Sequence, residues 1–460
     1  MLFLLLAARG LGQAPTAIIA GAVSDPSRAA IVEARITVTN KDTGLRREAR
    51  TGAQGIYSAP ALAAGVYQVK AEAAGFAAQA REATVEAGKT TTVDFELQLG
   101  TATETMTVEA ASSQLSRDSH QIDGVVTRFQ VDNLPLNGRS FLELAKLEPG
   151  VNVSTVTSNQ ANRQFDVSVL AAPALRTRIT VDGGDVLNFV NGGASTNFSQ
   201  EIVREFQISS ASFDLSTGVA AAGAVNIVTR SGGNECHGNG YYFFRDRNLA
   251  AYPALNRDPS NPDPFFARRQ IGFYVGGPIR KDRLFFFTNL ERNNQDGVVS
   301  VQPRSADFAK FGVIAPSPVN GRLISAKFDL RLTQRHTAAL RYSHDGNNSF
   351  SPLGPVFTLP STWLKETNWS DQSLGALTSV LRPNLVNDLR LSYVYWNVRD
   401  TAPTAGDCRN CFGLGAPSID VVGAGFGIGN GAFLPQGADL RTIDLIESLS
   451  WQKGSHRIRF

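Results

Sequence analysis

Apolar and polar residues alternate singly over much of the second half of the chain. Ile324, Ala326, Phe328, Leu330 and Leu332 are interleaved with Ser325, Lys327, Asp329, Arg331 and Thr333. Successive side chains of a strand point to opposite faces, so this segment has one apolar and one polar face. After a short turn at Gln334 and Arg335, Ala338, Leu340 and Tyr342 alternate with Thr337, Arg341 and Ser343. Leu389, Leu391, Tyr393 and Tyr395 repeat the pattern against Asp388, Arg390 and Ser392. Two architectures satisfy it. One is a soluble antiparallel sheet with one solvated face. The other is the wall of a membrane barrel, whose strands need roughly 9–11 residues with lipid on one side and water on the other. Tyr393, Tyr395, Trp396 and Trp451 near strand ends suit an interfacial girdle and favour the membrane wall.

The first part of the chain has a different period. Between residues 18 and 100, strand-like runs such as Ala34–Asn40 and Gly65–Ala71 are separated by turn residues, Lys41–Gly44 and Thr51–Gly55. Evenly spaced short strands predict a small antiparallel β-sandwich. Residues 101–121 begin small, polar and turn-free, as an extended linker would. Residues 122–232 mix signals and predict an α+β unit. Asn133 or Ser140 can cap a short helix that Pro149–Gly150 ends. Ile179–Gly183 is a strand running into a tight turn where Gly183 supplies positive φ, and Ile202–Ile208 and Gly223–Arg230 are further strands. At the start, Leu2–Ala8 is a short apolar core, with Ala14 or Ala17 near a cleavage site. Residues 1–17 are therefore expected to be a signal peptide, shortened by a start codon assigned too late.

Composition adds mainly exclusions. At 460 residues the chain is long enough for several domains. It has no run of ~18 apolar residues to make a spanning helix, which leaves barrels open. A formal net charge of +3 without a basic stripe argues against nucleic acid as a partner.

Chemistry-bearing residues are sparse. Cys408 and Cys411 form a CxxC between Pro403 and Gly413, without the βαβ context of a redox motif or the second pair of a zinc site. A loop disulfide is the expectation, which leaves Cys236 free. His120, His237, His336, His344 and His456 are scattered and read as surface or strand-end residues. Gly423–Gly431 resembles a phosphate loop only by glycine count and reads as a long surface loop. No nucleophile, base and oxyanion arrangement is visible, so the expectation is no enzyme, no metal and no cofactor.

Several longer stretches carry a resemblance. Gly21, Val23 and Asp25, then Thr43-Gly44, Gly55-Ile56-Tyr57, Gly65-Val66-Tyr67 and Gly75-Phe76 resemble the carboxypeptidase regulatory-like domain. Val131–Phe141 (VDNLPLNGRSF), Leu147–Val151 (LEPGV), Ile179–Gly183 (ITVDG) and Ala224–Asp246 (AVNIVTRSGGNECHGNGYYFFRD) resemble the plug of a TonB-dependent outer-membrane receptor and its junction with the barrel. Gln270–Phe287 resembles the periplasmic hairpin that follows. The combination resembles the Oar-like branch of these receptors and covers nearly the whole chain.

The resemblance implies a mainly β protein: a small N-terminal β-sandwich at 18–100, a linker at 101–121, an α+β plug at 122–232, and part of an antiparallel transmembrane β-barrel at 233–460. About 225 residues after the plug suffice for perhaps ten strands of ~10 residues, so an open half-barrel and a C-terminally truncated chain are expected. Glu104, Thr105, Met106, Thr107 and Val108 resemble a TonB box, an extended peptide that adds to the edge of the TonB sheet. The resemblance implies a bacterial outer-membrane location with a periplasmic N-terminal domain, the TonB complex and outer-membrane lipid as partners, and import of a large extracellular solute such as a glycan, peptide or chelate. The alternatives are an Oar-like role in adhesion, protein export or carbohydrate binding, and a non-functional fragment.

Overall fold

A computed structural model describes residues 16–100, 105–108, 122–155, 165–172, 174–188, 193–211, 223–252, 261–352, 358–421, 423–453 and 456–459. The signal-peptide expectation therefore lies outside the described residues, except at Thr16 and Ala17.

The first strands are β1 (Ala17–Ser24), β2 (Arg35–Asn40), β3 (Arg46–Arg50), β4 (Ile56–Leu62), β5 (Gly65–Glu72), β6 (Ala78–Val85), β7 (Thr90–Thr92), β8 (Phe95–Glu96) and β9 (Thr105–Val108). They form two facing sheets, β4-β1-β7 with β8 beside β1, and β3-β2-β5-β6-β9. Alternation sends Ile19, Val23, Ile36, Val38, Tyr57 and Val69 into the shared core. Tyr57 still needs a partner for its hydroxyl, which donates to Val93 O at 2.7 Å. The linker reading captures only half of what β9 does. The segment is extended, but it runs parallel to β6 with Ala78, Gln79, Ala80 and Arg81 opposite Thr105, Met106, Thr107 and Val108.

The plug contains β10 (Ile122–Val126), α1 (Arg128–Asn133), β11 (Val151–Thr155), β12 (Phe165–Val169), β13 (Thr177–Val181), β14 (Gly184–Asp185), β15 (Val203–Ala211) and β16 (Gly223–Thr229). Its main sheet runs β10-β15-β16-β13-β14, and β11–β12 is a separate hairpin. Val131, Phe141, Leu144, Ile179, Phe206 and Ile227 belong to its core. The helix cap is neither Asn133 nor Ser140. Thr127 caps α1, with its side chain accepting from Gln130 N and Gln130 Oε1 accepting from Thr127 N at 2.9 Å, a reciprocal capping box. Asn133 ends the helix, and Ser140 makes no side-chain cap bond before the 3-10 turn at Phe141–Leu147.

The remaining strands are β17 (His237–Asp246), β18 (Phe266–Arg280), β19 (Leu284–Val301), β20 (Val313–Pro316), β21 (Val319–Arg331), β22 (His336–Ser351), β23 (Leu364–Arg382), β24 (Leu385–Thr401), β25 (Ile419–Val421), β26 (Phe426–Ile428), β27 (Gln436–Lys453) and β28 (His456–Arg459). Among the described residues ten of them form one antiparallel sheet from β17 to β28 that does not close, a partial barrel curved around the plug. Gly423–Gly431 is more than a loop, since Phe426–Ile428 pairs with Ile419–Val421.

Burial settles which of the two sheet architectures this is. On β22 and β23 most of the buried residues are polar, Arg341, Ser343, Asp345, Ser370 and Gln372 among them, beside a few apolar ones such as Leu374. The exposed residues across the sheet are Phe273, Leu290, Phe328, Leu340, Leu391, Ile443 and Leu445. A soluble sheet has the opposite arrangement, so the apolar face is the lipid face. Trp396 departs from its expected place in the girdle. It is 2% exposed, on the inward face between Val394 and Val398.

The sandwich docks on the plug and on the near-side turns of the wall. Ala87 N donates to Glu205 Oε1, and Ala87 O accepts from Gln207 Nε2. Asn234 N donates to Asp42 O at 2.8 Å, and Arg331 Nη2 to Thr43 O at 2.8 Å. At the opposite ends of the strands, Val301, Phe350, Trp363 and Phe426 form an apolar cap.

Candidate functional site

The most heavily bonded contact between plug and wall centres on Asp182, in the turn from β13 to β14. Asp182 itself has φ of 49° and Gly183 has φ of 85°, so the turn demands the left-handed conformation at both positions. This aims the Asp182 carboxylate back along the plug and into the wall. Thr229 N donates to Oδ1 at 2.9 Å and Thr229 Oγ1 to Oδ2 at 2.6 Å. Arg341 Nε lies 2.9 Å from Oδ2, and Lys327 Nζ 3.8 Å. Arg341 Nη2 also donates to Val181 O at 3.1 Å and to Gln372 Oε1 at 2.8 Å. Arg390, paired with Asp388 at 2.6 Å, donates to Asp182 O. One plug turn is thus gripped by β21, β22 and β24.

A second cluster lies nearer β17–β19. Glu201 of the plug pairs with Arg128 at 3.0 Å, with Arg139, and with Arg230 at 3.8 Å. Its wall-side counterpart is Glu291, which accepts from Ser199 Oγ and Tyr241 Oη, each at 2.7 Å. Arg139 lies over the Tyr241 ring at 4.5 Å, and Arg230 over Tyr274 at 4.1 Å. These plug cations are desolvated against aromatic faces of the wall. Between the clusters the contacts are neutral or singly charged. Thr196 Oγ1 meets Ser370 Oγ at 2.5 Å, and Asn197 N and Nδ2 donate to Asp345 Oδ2 at 3.0 and 2.9 Å. A small cleft, open to solvent, separates plug and wall beside them, lined by Phe141, Phe198, Asn293, Leu323 and Asn347 among others.

This interface is largely polar, the main apolar contact being Phe287 of β19, which enters the plug core with Tyr274 packed beside it. Each hydrogen bond given up to water as it parts costs only about 0.5–1.5 kcal/mol net. The exceptions are the buried ion pairs, which act as locks.

The residues singled out in the sequence fall elsewhere. Thr105, Met106, Thr107 and Val108 form β9 on the sandwich edge, and Glu104 lies outside the described residues. Cys408 and Cys411 are bonded to each other in the loop between β24 and β25, and Cys236 is free and exposed. Of the plug–wall residues, Asp182 stands in the Ile179–Gly183 motif, where the sequence marks only a turn. Arg341, Lys327 and Arg390 show in the sequence only as members of polar strand faces. A charge on a polar face carries no mark of its own. The available signal was that the polar residues between these charges are small, as close packing against another body requires.

Burial alone would raise the Asp182 carboxyl. Lys327 and then Arg341, together with Thr229, outweigh it and hold the group below its ordinary value of 3.8. A carboxylate depressed in the folded state contributes stability that is whole above the unfolded value and is lost as pH falls through the folded one. Plug protection against protease in detergent should therefore stay constant from about pH 7 to about pH 4 and fall only below that. Loss of protection already between about pH 6 and about pH 5 would show that Asp182 does not dominate the lock.

Residues 18–98 match the carboxypeptidase regulatory-like domain family, and residues 228–322 and 299–460 match the outer membrane beta barrel domain family. The TonB-dependent transporter Oar of Myxococcus xanthus is 27% identical over 293 residues, which cover 60% of this chain and 27% of that protein. The crystal structure of the outer membrane transporter YddB from Escherichia coli superposes with a TM-score of 0.54 at 14% identity, over 73% of this chain and 46% of that one. The chain thus spans between about a quarter and a half of the length of these relatives.

Proposed function

We propose that this chain, which belongs to the outer membrane beta barrel domain family, forms the sandwich, plug and part of the wall of a TonB-dependent transporter. Its wall lies in the outer membrane and its N-terminal domain in the periplasm. In the proposed activity a large solute binds on the extracellular side, and a pull applied through TonB displaces the plug to admit it. No chemistry is done on the solute. The proposed solute is a glycan, a peptide or a metal chelate. Adhesion and protein export are the competing roles.

The observation that carries the proposal is the lock itself. The plug is held in a curved wall by a polar, hydrogen-bonded surface and a few buried ion pairs, with an extended β-prone segment leading into it from the periplasmic side. Such an interface resists thermal loss of the plug yet yields to a directed force, because apart from the Phe287 contact it is hydrogen bonds, and not an apolar core, that have to be exchanged. The segment at Thr105–Val108 is the proposed handle, supported by its capacity to pair edge to edge, which it does with β6.

Binding of the purified C-terminal domain of TonB to the folded chain in detergent tests this. Wild type should bind, and Met106→Pro with Val108→Pro should weaken binding at least about tenfold, since proline removes the donors that strand addition uses. Wild-type binding unchanged in the proline variant would move the handle elsewhere. No binding by wild type would remove the import reading and leave adhesion or export.

A further inference from the structure

The lipid face carries an arrangement that plug retention and import do not use. Arg292 of β19 and Arg322 of β21 are direct cross-strand partners. Both point away from the plug, because their neighbours Glu291 and Ser325 are buried inward while Leu290 and Phe328 face lipid. Like charges directly opposite one another destabilise a strand pair. Arg292 Nε donates to Asn294 Oδ1 at 3.1 Å and Arg322 Nε to His344 Nε2 at 3.2 Å, and among the described residues neither lies within ion-pair distance of a carboxylate. Arg399 and Arg441 on the same face differ, since both lie 3.8 Å from Asp439.

Arg322 is also held in place, unlike an ordinary surface arginine. His344, which the sequence suggested was a surface residue, is 4% exposed, and its Nδ1 meets Asp371 Oδ1 at 2.8 Å. A neutral imidazole with its proton on Nδ1 satisfies both bonds, donating to Asp371 and accepting from Arg322. Asp371 is fixed in turn by Tyr342 Oη at 2.7 Å and Trp369 Nε1 at 2.6 Å. The Arg322 guanidinium lies 5.2 Å from the centre of the Trp369 ring. The backbone makes room for this. A Cβ at Gly346 would fall 2.8 Å from His344 Nε2 and 3.1 Å from Arg322 Nε. With Nε engaged, the terminal nitrogens of the guanidinium fork remain for an outside acceptor.

Its height on the wall identifies the acceptor. Below Arg292 the outward row of β19 is Leu290, Thr288, Phe286 and Leu284, and below Arg322 that of β21 is Ile324, Ala326, Phe328 and Leu330. At about 3.3 Å per residue and a ~40° tilt, Leu284 to Arg292 climbs about 20 Å, nearly the ~25 Å apolar band of such barrels. The arginine pair therefore sits where the outer-leaflet hydrocarbon gives way to headgroups.

We propose that Arg292 and Arg322, the latter oriented by Asp371, His344 and Trp369, form a binding site for a phosphate group of an outer-leaflet phosphorylated glycolipid. A phosphate between the two guanidinium groups turns their repulsion into a charge-assisted clamp. The lipid chains then lie along Leu290, Ile324 and Phe328 below, which a free anion could not exploit.

The test is native mass spectrometry of the folded chain in detergent, offered diphosphorylated lipid A and its phosphate-free form. Wild type should prefer the diphosphorylated lipid at least about tenfold. Arg292→Gln combined with Arg322→Gln should abolish that preference. Arg441→Gln should keep it. Gly346→Ala, which leaves both charges but fills the space under Arg322, should reduce it about as strongly as Arg322→Lys, which keeps the charge and loses the fork. These two single variants decide the matter if the double variant does not fold, judged by its band shift on boiling. Equal wild-type affinity for the two lipids, or a preference that survives Gly346→Ala and Arg322→Lys, overturns the proposal. So does displacement of the lipid by millimolar inorganic phosphate, which would make this a site for a soluble anion.

Discussion

Asp182→Ala is expected to loosen the plug more than any other single substitution in the chain. The reason lies in what the change leaves behind. Arg341 is 2% exposed, and without the Asp182 carboxylate its charge keeps only hydrogen bonds to Val181 O, Gln372 and Ser343. Lys327 and the Thr229 backbone amide lose the same partner. Breaking a buried pair by removing one member costs about 3–5 kcal/mol, because the other charge stays buried. Removing both members costs far less, so Asp182→Ala with Arg341→Met should recover much of the loss. Hydrogen exchange of the β13 and β16 amides measures this. The single variant should speed exchange by about two to three orders of magnitude relative to wild type, with the double variant in between. Exchange within about tenfold of wild type in Asp182→Ala would mean that the plug is held by its many neutral hydrogen bonds and not by this lock. The Glu201–Glu291 cluster should be untouched, since it shares no side chain with Asp182.

The same contrast separates what the sequence made legible from what it hid. Strands β21, β22 and β24 were visible because a half-buried strand must alternate, whatever buries it. Which half is buried was not visible there. Arg341 and Ser343 read equally well as a solvated face, and only the plug behind them makes that face the interior. Trp396 was misplaced for the same reason, since an aromatic near a strand end suits a girdle until parity assigns it inward. Asn133 and Ser140 stand out in sequence because they flank Pro135, although Thr127 with Gln130 three residues on is the capping-box spacing. His344 had no marking neighbour in sequence. Its partners Arg322 and Asp371 come from two other strands, and only the register brings the three together. Pairing between distant segments was the general blind spot. The segment at Thr105–Val108 showed its β-propensity plainly, but not the edge it would occupy.

That edge supports the last prediction. Strand β9 completes the sheet β3-β2-β5-β6-β9, so the segment proposed to add to TonB is already added to the sandwich. An extended peptide cannot donate the same backbone groups to two sheets, so TonB, if it uses the groups that now face β6, has to take β9 from β6. The exchange is cheap in hydrogen bonds, because each one lost to β6 is replaced by one to TonB. Joining the two strands covalently removes the option. Ala80 and Thr107 are register partners, so Ala80→Cys with Thr107→Cys, in a Cys236→Ser background to avoid the free thiol, places two sulfurs across neighbouring strands. With the bridge closed, binding to the TonB C-terminal domain should fall by at least about a hundredfold, and dithiothreitol should restore it, since the change acts through strand release and not through side-chain loss. The reduced protein controls for the substitutions. A bridged protein that binds TonB as well as the reduced one would mean that TonB engages another segment, or that it recognises β9 in place as the exposed edge of the sandwich sheet. Binding after Met106→Pro with Val108→Pro separates those two outcomes, because only recognition of β9 in place is sensitive to both prolines while indifferent to the bridge.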